Sequence, residues 1–168
     1  LEVKFGTRSI KNITKNDFDN VIKYLLSLDF NFKYKNKYLL RISNDDVRVE
    51  INNLTNIQEF CKNNKLNLDN GSTSFYTKNK YNEDSVINFD DFNFRIAYNL
   101  ENKLNIDNPK VQTLLENWSN RKKFYRLINR FTLINEKFPF NVDVSIVRES
   151  KTVETNSKLS EPNIFNIN

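Results

Sequence analysis

Histidine and methionine are missing from this 168-residue chain, cysteine occurs once, and glycine and proline occur two and three times. Without histidine there can be no Ser-His-Asp triad, no His-paired cysteine nucleophile and no His-rich zinc site. Any catalytic metal would need oxygen ligands, which points to magnesium, manganese or calcium. Cys61 has no second cysteine to bridge to, which fits a reducing compartment, and its setting in NIQEFCKNN reads as a helix packing position. The chain has no Gly-rich loop to cradle phosphate with backbone amides, so side chains would have to bind it. No apolar run of about 18 residues could span a bilayer, and the start of the chain has no signal-peptide apolar core. The protein is expected to be soluble, intracellular and free of membrane association.

Asparagine and lysine are abundant, a skew that fits an A/T-rich genome more than a particular fold. Hydrophobic residues make up 38% and aromatics 13%, enough for one compact domain over residues 1–168. The net charge of +5 favours anionic partners such as nucleic acid or nucleotide phosphates, although a merely soluble basic protein would show the same balance.

LEVKFGT alternates like a strand from the first residue. TKNDFDNVIKYLLSL predicts a helix with Thr14 or Asn16 as its cap and Phe18, Val21, Ile22, Leu25 and Leu26 on one face. KYLLRIS and DVRVEI alternate around the turn residues NDD and read as a hairpin. LTNIQEFCKNN predicts a second helix capped by Thr55. Residues 63–88 read as a polar loop holding a short strand around TSFYTK. DFNFRIAYNLE is the clearest strand, with Phe92, Phe94, Ile96, Tyr98 and Leu100 on the core side and Asn93, Arg95, Ala97, Asn99 and Glu101 opposite. DNPKVQTLLENWSN predicts a third helix, capped by Asp107 or Asn108 with Pro109 in its first turn and Trp118 in the core. FYRLINRFTLI and FNVDVSIVRES give the last strands, joined by a turn at Lys137, Phe138 and Pro139. After Ser150 the chain turns polar and loses alternation, with no closing element expected.

Period-2 geometry places Glu2, Lys4, Arg41, Arg48, Glu50, Arg95, Glu101, Arg130, Asp143 and Ser145 opposite the apolar faces. One reading is an antiparallel sheet with a solvated face, on which such charges pair across strands and do no chemistry. The other is a sheet curled so that this face lines a cavity, where arginines grip an anion and carboxylates hold a hard cation. Phosphate suits the second arrangement, because guanidinium groups bind its oxygens bidentately.

LEVKFGT, LRI, VRVEI, IQEFC, FRIAYNLE, the LLENW helix, INRFTL and VDVSIV follow in an order that resembles the triphosphate tunnel metalloenzymes across nearly the whole chain. Within them the chain most resembles the RNA 5′-triphosphatase domain of large-DNA-virus mRNA capping enzymes, relatives of the fungal triphosphatases. The resemblance implies an α+β fold: an eight-stranded antiparallel barrel with a hydrophilic tunnel for the triphosphate and helices packed outside. It implies Mg2+ or Mn2+ held by glutamates of the first and last acidic strands, and attack of water on the γ-phosphate to leave a 5′-diphosphate RNA end. The implied partners are a 5′-triphosphate RNA end and guanylyltransferase and methyltransferase domains of the same or a partner chain. A cytoplasmic location, in a viral factory or virion, follows the same resemblance.

Matched residue by residue, Glu2 falls on the second glutamate of the first Glu-x-Glu strand, a metal ligand. Arg95 matches a phosphate-contacting arginine and Glu101 an acid near the attacking water. Arg130 matches the arginine of a Lys-x-Arg strand in which Ile128 replaces the lysine. Asp143 and Ser145 match an Asp-x-Thr/Ser pair, with Asn141 where a basic residue is expected and Arg126 or Arg148 as its replacement. Lys4, Arg41 and Arg48 complete the expected substrate contacts. A second acidic strand of Glu-x-Glu-x-Glu type would follow SEPNIFNIN, so the sequence reads as a fragment lacking both outer acidic positions. The rival readings are the same fold acting on tripolyphosphate or nucleoside triphosphates, and a noncatalytic module that binds RNA ends or a capping partner.

Overall fold

The computed structural model describes residues 2–5, 13–44, 47–80, 86–92, 94–151 and 164–167. Helix α1 (Lys15–Ser27) starts on Thr14, whose hydroxyl accepts from the Asp17 amide while the Asp17 carboxylate accepts from the Thr14 amide, a reciprocal capping box. Its apolar face buries Phe18 against Phe30, Leu133 and Val144, with Val21, Ile22 and Leu25 alongside. Helix α2 (Leu54–Asn63) starts on Asn53 rather than on Thr55. The Asn53 side chain accepts from the Asn56 amide at 3.2 Å, and its φ of 64° turns the chain directly from a strand into the helix. Asparagine tolerates that left-handed region better than threonine does. Helix α3 (Pro109–Glu116) has Asn108 as cap and Pro109 in its first turn, as expected, and buries Val111 and Leu114. Trp118 joins that core, edge-on to Phe60.

The strands are β1 (Glu2–Phe5), β2 (Asn31–Asn44), β3 (Val47–Asn52), β4 (Thr73–Lys80), β5 (Val86–Phe89), β6 (Phe94–Ala97), β7 (Asn99–Leu104), β8 (Phe124–Ile134), β9 (Asn141–Ser150) and β10 (Ile164–Ile167). They form one antiparallel sheet in the order β5-β6-β1-β10-β9-β8-β2-β3-β4-β7. The predicted β2–β3 hairpin is present; its turn residues Asp45 and Asp46 lie outside the described residues. Helices α2 and α3 pack on Ile42, Val49, Ile51, Phe75 and Tyr125, whereas α1 covers Leu133 and Val144. The three helices thus share one side of the sheet and leave the charged side to face inward.

Three sequence expectations are corrected. The polar stretch 63–88 holds the full eight-residue strand β4 and the start of a second strand, β5. DFNFRIAYNLE is not one strand: Asp90–Phe92 form a 3₁₀ turn, Asn93 lies outside the described residues, and Tyr98 separates β6 from β7. Tyr98 and Leu100, expected in the core, are 43% and 41% exposed. The tail does supply a closing element, because β10 is hydrogen-bonded between β9 and β1; residues 152–163 before it lie outside the described residues.

The division at Tyr98 has a topological cause. β6 pairs with β1 and β5 at one end of the sheet, whereas β7 pairs with β4 at the other. One chain segment therefore belongs to both ends and must bend between them. The expected α+β arrangement of an antiparallel sheet with helices packed outside holds, whereas the expected eight-stranded closed barrel is here a ten-stranded sheet. Its closure differs: among the described residues the ten-strand ladder is open in hydrogen bonds, and its ends are tied through the backbone at Tyr98.

Candidate functional site

Glu2 of β1, Lys78 of β4, Ala97 of β6, and Asn99 and Glu101 of β7 line one cavity of about 260 Å3. β1 and β4 are far apart in the strand order, so only a sheet curled back on itself brings these side chains together. Lys4 feels the charges of both Lys78 and Arg95 across the same interior. A larger cavity of about 650 Å3, lined by Leu40, Ile57, Cys61, Tyr125 and Leu127 among others, lies on the helix side. Its floor is apolar, with Lys62, Arg148 and Glu149 at its edge.

Directly paired residues of neighbouring strands share a face, so the β2–β8–β9 register stacks the interior in layers. Arg41, Arg126 and Glu149 form one layer, and Leu39, Ile128 and Val147 the next. Lys37, Arg130 and Ser145 follow, then Tyr34, Thr132 and Asp143. The second layer is a buried apolar cluster, so Ile128, at the expected lysine position, is a packing residue. Arg41 opposite Arg126 and Lys37 opposite Arg130 are like-charge neighbours across the two strands, with Glu50, Glu149 and Asp143 paired to the three arginines.

A chain of ion pairs crosses β2, β3, β4 and β7. Arg41 Nη2 lies 2.9 Å from Glu50 Oε1, and Arg48 Nε lies 3.0 Å from the same oxygen, although poorly aligned for a hydrogen bond. Arg48 then reaches over the Tyr76 ring, 5.2 Å from its centroid, to grip Glu101 with two hydrogen bonds of 3.0 and 2.8 Å. Lys78 stands 3.7 Å from Glu101. The hydrogen bonds from Arg48, reinforced by the charges of Arg48, Lys78 and Arg41 against the opposing effect of burial, hold the Glu101 carboxyl at a pKa of about 2. Burial depresses the pKa of Arg48, but Glu101 and Glu50 more than offset it and raise the pKa above its ordinary value. For Arg41, burial outweighs the Glu50 carboxylate and lowers the pKa.

On the opposite wall, Lys4 pairs with Glu2 at 3.3 Å and stands opposite Arg95 in the β1–β6 register. Burial lowers the Lys4 pKa, with Lys78 and Arg95 adding to the effect and Glu2 opposing it. Arg130 Nη1 lies 3.1 Å from one oxygen of Asp143, whose other oxygen accepts from Thr132 Oγ1 at 2.6 Å. Arg130 Nε and Ser145 Oγ are buried with no partner among the described residues. Buried polar atoms are almost always hydrogen-bonded, so these two mark a place where a ligand oxygen would be accommodated.

Glu2, Lys4, Arg41, Arg48, Arg95, Glu101, Arg130, Asp143 and Ser145 all lie on strands at inward-facing register positions. They gather in three groups: Arg41, Arg48 and Glu101; Glu2, Lys4 and Arg95; and Arg130, Asp143 and Ser145. Of the two candidate replacements for the missing basic residue, Arg126 faces inward and pairs with Glu149 at 2.8 Å, whereas Arg148 lines the helix-side cavity. Asn141 is exposed. Sequence reasoning missed Lys78, Thr132 and Glu149. Alternation through TSFYTK and VRES carried the signal for Lys78 and Glu149, since each lies two residues from an inward-facing position.

The donors at the 260 Å3 cavity, the carboxylates of Glu2 and Glu101 and the Asn99 amide oxygen, are all hard oxygens. No group of three or more acidic, histidine or cysteine side chains forms a metal cage among the described residues. Magnesium seldom uses such a cage, being held by one or two carboxylates together with substrate phosphates and water. The oxygens are of the type such an ion takes, but Lys78 shares the cavity and the two carboxylates are paired with Lys4 and Arg48, so an ion there would have to compete with those cations.

An antiparallel sheet curled around charged side chains from many strands, with helices outside, defines the triphosphate tunnel class of fold. Solved structures similar to this chain in fold include the following. The RNA triphosphatase domain of a trifunctional mimivirus mRNA capping enzyme superimposes with a TM-score of 0.66 at 19% identity, covering 98% of this chain and 76% of that one. Monoclinic and triclinic crystal forms of the mimivirus capping enzyme triphosphatase give the same TM-score of 0.66, at 17% and 18% identity, covering 98% of this chain and 77% and 76% of theirs. No family model matches the sequence, and no curated protein matches it. The likeness is one of fold.

Proposed function

We propose that this chain is an RNA 5′-triphosphatase that releases the γ-phosphate of triphosphate-ended RNA as the first step of mRNA capping. The observation that carries the reading is the convergence of guanidinium and ammonium groups from separate strands on one interior, where Arg130 Nε and Ser145 Oγ have no hydrogen-bond partner among the described residues. Water attacks the γ-phosphorus as the bond to the β–γ bridging oxygen breaks, giving inorganic phosphate and a 5′-diphosphate end. Arg130 and Arg95 neutralise the non-bridging oxygens, most strongly as charge builds on them in the transition state. Ser145 donates to the same phosphate group, and Lys4, Arg41 and Arg48 extend the cationic lining. Asp143 fixes Arg130 in place. Glu101, ionised throughout the working pH range, orients the attacking water through a hydrogen bond and does not store its proton. A magnesium or manganese ion bound at Glu2 would supply charge neutralisation at the bridging and γ oxygens. Guanylyltransferase and methyltransferase domains, in the same or a partner chain, belong to this proposal as the consumers of the diphosphate end.

The test is phosphate release from triphosphate-ended RNA, ATP and tripolyphosphate, each with magnesium and with manganese. Preference for RNA is expected, with kcat/KM falling by about 10²–10³ in Arg130→Ala and metal-dependent release lost in Glu2→Ala. A preference for tripolyphosphate or ATP would assign the same fold to those substrates. No release from any of the three would overturn the enzymatic reading in favour of a noncatalytic RNA-end binder.

A further inference from the structure

The first half of β2 reads Phe32-Lys33-Tyr34-Lys35-Asn36-Lys37-Tyr38, basic and aromatic residues in alternation. No role in the proposed reaction has been given to it. The segment is irregular: its register against β8 shifts on both sides of Tyr34, and Asn36 has φ 54°. Lys33, Tyr34, Lys35, Asn36 and Lys37 are all exposed, so the layers that Lys37 and Tyr34 share with Arg130 and Thr132 open to solvent at this end of β2. Tyr34 is 48% exposed, a large aromatic surface that no helix covers. Lys33 and Lys37 place their ammonium groups 5.7 and 5.2 Å from its ring centroid, and Lys35 lies 4.5 Å from the Phe32 ring. Among the described residues none of the three lysines forms an ion pair.

The position of this patch gives it a partner. Lys37 stands directly opposite Arg130, and Tyr34 opposite Thr132, so the backbone position of Tyr34 lies level with a residue two along β8 from the arginine, about 7 Å on. We propose that this stretch of β2 is the binding surface for the body of the RNA, with the first base stacked on Tyr34 and the following phosphates on Lys33, Lys35 and Lys37. Aromatic faces flanked by cations bind single strands in this way, because every base has a π-face and every nucleotide a charge. The inference rests on the triphosphatase reading for the location of the RNA end, and it adds the basis on which RNA would be chosen over free polyphosphate.

The full chain is assayed with triphosphate-ended RNA of about ten nucleotides and with tripolyphosphate. Tyr34→Ala is expected to raise KM for RNA roughly 10-fold relative to its effect on tripolyphosphate, and Tyr34→Trp to restore it. Lys33→Gln combined with Lys35→Gln is expected to lessen the salt dependence of log KM for RNA by about 1.4 in slope, two contacts of about 0.7 each. Equal effects on both substrates, or none, would overturn the assignment. If no substrate is hydrolysed, the triphosphatase reading fails and fluorescence anisotropy with the same RNA decides this one. Weaker binding in Tyr34→Ala, restored in Tyr34→Trp, supports it; unchanged binding overturns it.

Discussion

Arg48 is held on three sides, by Glu50, by both oxygens of Glu101 and by the face of Tyr76, and its side chain is 11% exposed. A charge that deep is tolerated because of its partners, and each partner depends on it in turn. Arg48→Ala would leave Glu50, 13% exposed, with Arg41 alone. Breaking a buried pair by removing one member costs about 3–5 kcal/mol, which urea denaturation would read directly. A loss below about 1 kcal/mol would place the pair in the class of solvent-screened surface bridges. Glu101 reports on the same pairing through pH. Its carboxyl falls from an ordinary 4.5 to about 2 in the folded chain, so the unfolded chain takes up its proton first as pH falls. The stabilisation is complete above about pH 4.5 and is lost as the pH drops toward about 2. Glu101→Gln should flatten that part of the stability profile relative to the native chain; parallel profiles would show that the carboxyl is not held by Arg48.

The helices were readable from local chemistry. Thr14 with Asp17, and Asn108 with Pro109, are short-range signals, and the apolar stripe of α1 follows from spacing alone. Local pattern favours Thr55 over Asn53 because a cap at positive φ depends on how the preceding strand ends, which no helical pattern reveals. Asn53→Ala removes the cap and also places a Cβ-bearing residue without a polar side chain in the left-handed region. It should cost about 0.5–2 kcal/mol, whereas Thr55→Ala should be near neutral; equal losses would restore Thr55 as the cap. Alternation named most inward-facing residues of β2, β3, β8 and β9, since one face of each strand is fixed by the helices behind it. It could not reveal that β6 and β7 are separate or that Lys78 meets Glu2, because both follow from pairing between strands distant in sequence. Nor could it find Tyr34, exposed at an end of β2 whose register shifts against β8 do not show in a period-2 pattern.

For the whole molecule, Arg41, Arg126, Arg130 and Lys37 face one another across β2 and β8 in a chain of net charge +5, and the first three are each balanced by a carboxylate. On the proposed reading, a polyphosphate would bind among these cations in the folded form alone. Tripolyphosphate at one hundred times its Kd should stabilise the protein by about 2.7 kcal/mol, seen as a rise in Tm that grows with the logarithm of ligand concentration. An unchanged Tm with tripolyphosphate, triphosphate-ended RNA and ATP alike would remove the anion site from the interior.

The junction at Tyr98 sets a mechanical condition on all of this. The curled sheet is clasped by one peptide unit rather than by a seam of hydrogen bonds, so the bore between Glu2 and Glu101 is governed by the bend of the chain at that point. A nick or a flexible insertion there would let the two arcs spring apart while leaving each arc's own strand pairs and helix contacts intact, yielding a folded protein that no longer encloses anything.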